Sequence, residues 1–380
     1  KRIALKTGGL GAHLASGFRI GGRETWQKMI FHVRMLYRNI PDAVGILSDI
    51  LFRGNLTETA RIRDLVFEGR NDLQAAVVPS GHLFAKRTAA ASLTLPAYRE
   101  EQWNGRSQLK FIHALTESWD ETLEDFINRI GDLKAMIVRK DGLLANLTAD
   151  GQGLRLLSEA IEPVMARMSE SPSAVCDVPV PVLPSRMGVV IPAQVSYVAE
   201  AFPAPTYGSP LAAPLFVLSR LLSNGCLYQK IRVQGGAYGG MCQYDPTNGL
   251  FAFLSYRDPH LERTLAVYEE ALRFAEDGGI PAEEIRKAVI GSIGALDRPT
   301  DPAGRGFTSM IRHFAGLTDE ERRRFRQAVL AMGNRELTEG ALKYLAGVRN
   351  RAAVAVYSEA EKMNRANETL RPPLRIEPLM

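Results

Sequence analysis

Three cysteines in 380 residues, Cys176, Cys226 and Cys242, are too few and too far apart for a disulfide framework or a structural zinc site. The odd count favours free thiols and a reducing compartment, with the cytoplasm preferred. No run of 18 apolar residues occurs, so neither a transmembrane helix nor a membrane partner is expected. No signal peptide opens the chain. The six histidines, His13, His32, His82, His113, His260 and His313, include no pair four residues apart. None lies in H-E-x-x-H or H-x-x-E-H, so no catalytic zinc site is visible. A G-x-S-x-G elbow is also missing, which leaves a hydrolase triad without its anchor. So is G-x-x-x-x-G-K-[ST], the phosphate-cradling loop.

What is present fits a folded protein with room for two cores. Hydrophobic residues make up 46% and charged residues 23%. Against 42 acidic residues stand 47 Lys and Arg, a net charge of +5 spread thinly along the chain. The densest cluster, Arg322 to Arg324 with Arg326, follows Asp319 to Glu321 and reads as a solvated helix face. Nucleic acid is therefore not an expected partner.

Pro172, Pro179, Pro181 and Pro184 mark residues 171–186 as a linker without helical period. It separates residues 1–170 from 187–380, two stretches of similar length that suggest internal duplication. Strands are expected at His13–Ile20, Phe31–Leu36, Lys134–Arg139 and Leu143–Leu147, with helices between and after them. Beyond the linker, Val195, Tyr197, Ala199 and Ala201 share one face of a half-buried strand. Helices over Pro210–Ser223 and Leu227–Arg232 precede strands at Ala237–Tyr244 and Leu250–Tyr256, joined by the hairpin loop Pro246 to Gly249. Asp258 and Pro259 read as N-cap and first-turn residue of a helix whose buried stripe is Leu261, Leu265, Tyr268, Leu272 and Ala275, ended by Gly278 and Gly279. A last strand, Ala352–Tyr357, leaves a polar tail. The pattern predicts an α+β fold: two related domains, each a mainly antiparallel sheet with helices packed on one face.

The most informative segment is Arg232-Val233-Gln234-Gly235-Gly236-Ala237-Tyr238-Gly239-Gly240. A dinucleotide fingerprint places its glycines after a strand and before a helix. Here the order is helix, glycines, strand, so a nucleotide cofactor is not expected. A helix C-cap and turn accounts for Gly235 and Gly236 through positive φ. It needs neither Arg232 nor Tyr238. The other reading is that the glycines admit a second backbone. Arg232 then offers a fork of N–H donors and Tyr238 a phenolic O–H, both suited to a peptide carbonyl or an oxyanion.

Ile231 to Gly240, followed by Phe251-Ala252-Phe253-Leu254-Ser255-Tyr256-Arg257-Asp258-Pro259, resembles the C-terminal half of zinc peptidases of the pitrilysin (inverzincin) family. Lys6 to Gly9 and Ser80 to Leu83 fit the same pattern, so the resemblance spans both halves of the chain. It implies four related α+β domains in two hinged halves, of which residues 1–170 are the third and 187–380 the fourth. The N-terminal half would hold zinc and the general base; this chain would hold no metal. Arg232 and Tyr238, with Gly235 and Gly236, would meet the substrate. The partners implied are that N-terminal half and short unstructured peptides admitted to a closed chamber. His82 has no inverted zinc motif after it and reads as structural, on a helix starting near Gly81. A non-catalytic scaffold subunit of the same fold is the alternative. The chain opens at Lys1 in sequence that already reads as folded, which suggests a piece of something longer.

Overall fold

Leu10–Phe18 (β1) and Thr25–Val33 (β2) pair antiparallel from Leu10↔Val33 to Phe18↔Thr25. Gly21 and Gly22 turn the hairpin at φ 90° and 71°, where a side chain would be strained. This is the computed structural model of the chain, and it describes residues 1–171, 181–273 and 280–380. After the hairpin come helices Ile40–Arg53, Thr59–Val77, Gly81–Ala90, Leu95–Asn104, Arg106–Glu117, Trp119–Ile137 and Gly151–Ala166. Their starts follow local chemistry. Pro41 occupies the first turn of one, and Thr94 and Asp150 cap two others by accepting from Ala97 N and Gly153 N.

Two strands expected here are absent. Lys134 to Ile137 end the helix Trp119–Ile137, Arg139 makes only an isolated bridge to Ser169, and Leu143 to Leu147 form no regular element. A short apolar run has no period long enough to separate strand from helix, and here the helix started at Trp119 carries through it. Among the described residues the first half thus holds one two-stranded sheet, not a large one.

The second half holds a six-stranded sheet. Its strands are Arg186–Val190 (β3), Tyr197–Pro203 (β4), Gly239–Asp245 (β5), Leu250–Tyr256 (β6), Ala353–Ser358 (β7) and Arg375–Pro378 (β8). The order is β5-β6-β4-β7-β3-β8. The pairings β5/β6, β6/β4 and β4/β7 are antiparallel, whereas β3 runs parallel to both β7 and β8. β8 lies in the stretch expected to be a polar tail. The hairpin loop before Leu250 is as expected, closed by Gly249 at φ 64°.

Helices cover this sheet on both faces, not one. Val198, Phe202, Phe251, Phe253, Val354 and Val356 pack with the later helices, including Ala212–Leu222 and Glu262–Arg273. The alternate residues Val189, Tyr197, Ala199, Ala201, Leu254, Ala355 and Tyr357 pack against Val77, Phe84, Ala85, Ala89 and Leu109. That second layer comes from before the proline-rich stretch. It explains why β4 is buried throughout and not merely on one side. Gly81 makes the approach possible, since a Cβ there would lie 2.3 Å from the Tyr197 ring.

Asp258 sits further from its helix than expected. The helix begins at Glu262, and the buried Asp258 carboxylate accepts from His260 N at 2.9 Å and Thr264 Oγ1 at 2.6 Å. Leu261, Leu265, Tyr268 and Leu272 are buried as expected, while Ala275, Gly278, Gly279, Pro172, Pro179 and Cys176 lie outside the described residues. No helix among the described residues is long and apolar enough to cross a membrane.

Candidate functional site

The helix Ala212–Leu222 does not stop where expected but widens into a π-helix, Ser223–Val233. π-turns of this kind are uncommon and recur at functional sites. At its end Gly236 N donates to Arg232 O at 3.0 Å and Ala237 N to Ile231 O at 3.1 Å. Gly236 takes φ 75°, the left-handed residue that ends many helices. Gly235 meets a different constraint. A Cβ there would lie 2.5 Å from Ile231 O and 2.9 Å from Lys230 O. Both glycines are thus explained by the turn. The chain then enters β5, where Tyr238 N donates to Tyr256 O at 3.1 Å.

The turn holds Arg232 and Tyr238 together at the surface. Tyr238 is 67% exposed. The Arg232 guanidinium stands over its ring at 5.9 Å and over the Tyr228 ring at 5.5 Å. Tyr238 meets Tyr256 edge-on at 5.6 Å. Behind it, Tyr256 meets His82 at 4.8 Å and carries the Arg257 guanidinium over its ring at 5.5 Å. Arg257 has φ 48°, a conformation non-glycine residues seldom adopt.

Sequence reasoning did not single out Tyr228, Tyr256 or Arg257 for this site. Tyr256 and Arg257 lie 18 and 19 residues after Tyr238 in the numbering, and only the β5/β6 register joins them to it. His82 does open its helix, Gly81–Ala90. Its Nδ1 is buried without a hydrogen-bond partner, and burial, then the Arg87 and Lys86 charges, lower its pKa.

Two other chemistries find no support in the residues present. Burial pushes the thiols of Cys226 and Cys242 up, so neither is an activated nucleophile. Among the described residues no group of three or more His, Cys, Asp or Glu could hold a metal ion. The donor set here therefore does not fit a zinc centre.

Residues 186–359 match the family described as PreP C-terminal domain. Residues 1–115 match the associated domain of the peptidase M16 family, subfamily C. Presequence protease 1, chloroplastic/mitochondrial, of Arabidopsis thaliana is 31% identical over 366 residues, covering 96% of this chain and 34% of that protein. The chain belongs to the M16 peptidase family. It is a C-terminal half of the M16 type, homologous to presequence proteases. The mitochondrial presequence protease of Aspergillus fumigatus is also 31% identical, over 358 residues, covering 90% of this chain and 33% of that protein. The chain spans about a third of the length of these curated relatives. In fold it is similar to an M16 peptidase inactive domain from Pseudomonas fluorescens, with TM-score 0.60, 14% identity, and coverage of 94% of this chain and 83% of that one. Membership of the M16 family implies zinc in a full enzyme, and the zinc ligands are not among the residues described here.

Proposed function

We propose that this chain is the substrate-gripping half of a metallopeptidase that degrades short unstructured peptides in a chamber closed by its N-terminal half. One observation carries the reading. Arg232 and Tyr238 are held outward on a turn whose glycines are demanded by backbone geometry. A scaffold protein needs no such pair of donors at its surface. The Tyr238 O–H donates to the oxygen of the scissile carbonyl as negative charge gathers on it, and Arg232 holds the same oxygen or a neighbouring carbonyl. Both groups stand ready before substrate arrives, so little reorganisation is needed during the reaction. Metal chemistry in such an enzyme belongs to groups outside this chain.

The decisive variant is Tyr238→Phe in the protein that contains this chain. Peptide turnover is expected to fall by about 100-fold or more, the usual cost of one oxyanion donor. The exposed ring remains, so the melting temperature should not move. Unchanged turnover would remove Tyr238 from the chemistry.

A further inference from the structure

Glycine is needed for geometry at 235, 236 and 240, but not at 239. At Gly240 a Cβ would press on Ile231 Cβ at 2.9 Å and Leu227 O at 3.0 Å. At Gly239 the φ angle lies outside the left-handed region, and a Cβ would meet nothing nearer than Tyr256 Cβ at 3.9 Å. A larger residue could stand there without strain. Its absence leaves an open notch at the first residue of β5, immediately after Tyr238.

The walls of that notch follow from the register. Gly239 pairs with Tyr256, so the missing side chain would have stood beside the tyrosine on one face of the sheet. Met241, two residues along, shares the face, and both Met241 and Tyr256 pack against the core beneath the helix Gly81–Ala90. Tyr238 borders the opening. An aromatic ring and a thioether favour an apolar or aromatic guest. Arg232 and Arg257 stand over the neighbouring rings, and neither forms an ion pair among the described residues. They surround the opening with positive charge.

β5 is also an edge strand, yet its outward groups are not free to pair along their length. At Cys242 the N–H donates to Ser223 Oγ at 2.7 Å, and the carbonyl accepts from the same hydroxyl at 3.2 Å. A peptide held at Tyr238 cannot extend past this point as an added strand. Recognition here has to come from a side chain.

We propose that the space left by Gly239 is a specificity subsite that takes an aromatic or large aliphatic side chain of the bound peptide and rejects a cationic one. The proposal rests on the peptidase reading above and adds to it the position that sets preference.

The test uses the protein containing the whole chain and quenched-fluorescence peptides identical except at one residue flanking the cleaved bond. Phe, Leu, Ala and Lys are compared by kcat/KM. The unaltered protein is expected to prefer Phe or Leu over Ala and Lys at one position by about tenfold or more, the range a filled apolar pocket supplies. Gly239→Val should bring the Phe-to-Ala ratio towards one, with Gly239→Ala between, and thermal melting shows that both variants are folded. A ratio that stays put in Gly239→Val overturns the subsite, whether or not the overall rate falls. An unaltered protein that cleaves peptides with no preference overturns it too. A protein that cleaves no peptide at all overturns the peptidase reading and the subsite together.

Discussion

At the scale of single residues, the four glycines of the turn divide by what a methyl group would meet. Gly235→Ala drives a Cβ into two backbone carbonyls that cannot retreat without unwinding the π-helix. It should cost about 1–3 kcal/mol, the usual range for overpacking, and lower the melting temperature. Gly239→Ala meets open space and should leave melting nearly unchanged. Equal destabilisation of the two would contradict the geometry. Read as a string, both positions are simply glycine. The difference between them lies in the carbonyls of Ile231 and Lys230, which only the folded turn brings near.

A second residue titrates oddly. Burial, then the Glu269 carboxylate, push Glu200 on β4 up to about 7, against the pull of Arg186 and Arg349. Arg349 is already paired with Glu269 at 2.8 Å, and the Arg186 Nε is buried without a partner. The folded chain therefore binds this proton more tightly than the unfolded chain does. Its contribution is favourable at low pH and is lost as pH rises through about 7. Glu200→Gln should melt above the unaltered protein at about pH 8 and show little difference near pH 5. The gain at the higher pH is on the order of 1–3 kcal/mol. A pH-independent difference would show that the carboxyl is not the cause.

At the scale of elements, β8 shows what periodicity cannot see. Arg375 to Pro378 carry no apolar alternation, so the stretch reads as tail. It becomes a strand because β3 offers a parallel edge and because Arg106 reaches it from the other half. The buried Arg106 donates through Nε to Leu379 O at 3.1 Å and through Nη2 to Pro378 O at 2.5 Å, and pairs with Glu377 at 2.8 Å. Removing a buried cation from such a network typically costs about 3–5 kcal/mol. Arg106→Ala should lose a similar amount in chemical denaturation and expose the C-terminal residues to carboxypeptidase. Strands with their own apolar pattern were legible: β6 falls on its expected residues and β7 shifts by one. The helix Trp119–Ile137 was not, because its last turn is apolar enough to pass for a strand.

At the scale of the molecule, the proline-rich stretch divides the chain in sequence more cleanly than in packing. The face of the sheet bearing Tyr197, Ala355 and Tyr357 is covered by helices from before that stretch. Residues 187–380 alone would leave it in water. Such a fragment is expected to aggregate or to bind a hydrophobic dye, while the full chain does neither. A soluble, cooperatively melting fragment would show that the covering layer is dispensable. The family resemblance was legible because Arg232 to Tyr238 and Phe251 to Pro259 are contiguous motifs. The second layer was not, since nothing local in Gly81–Ala90 names the surface it lies on.

The contact between Gly81 and the Tyr197 ring ties these scales together. One missing methyl lets a helix from the first half rest on the sheet of the second, and the next residue, His82, touches the ring that supports Tyr238. Drift in either half is thereby felt at the donors of the other. The two halves must change in concert, and a chimera that joins them from distant relatives should bind substrate poorly even where every catalytic side chain is retained.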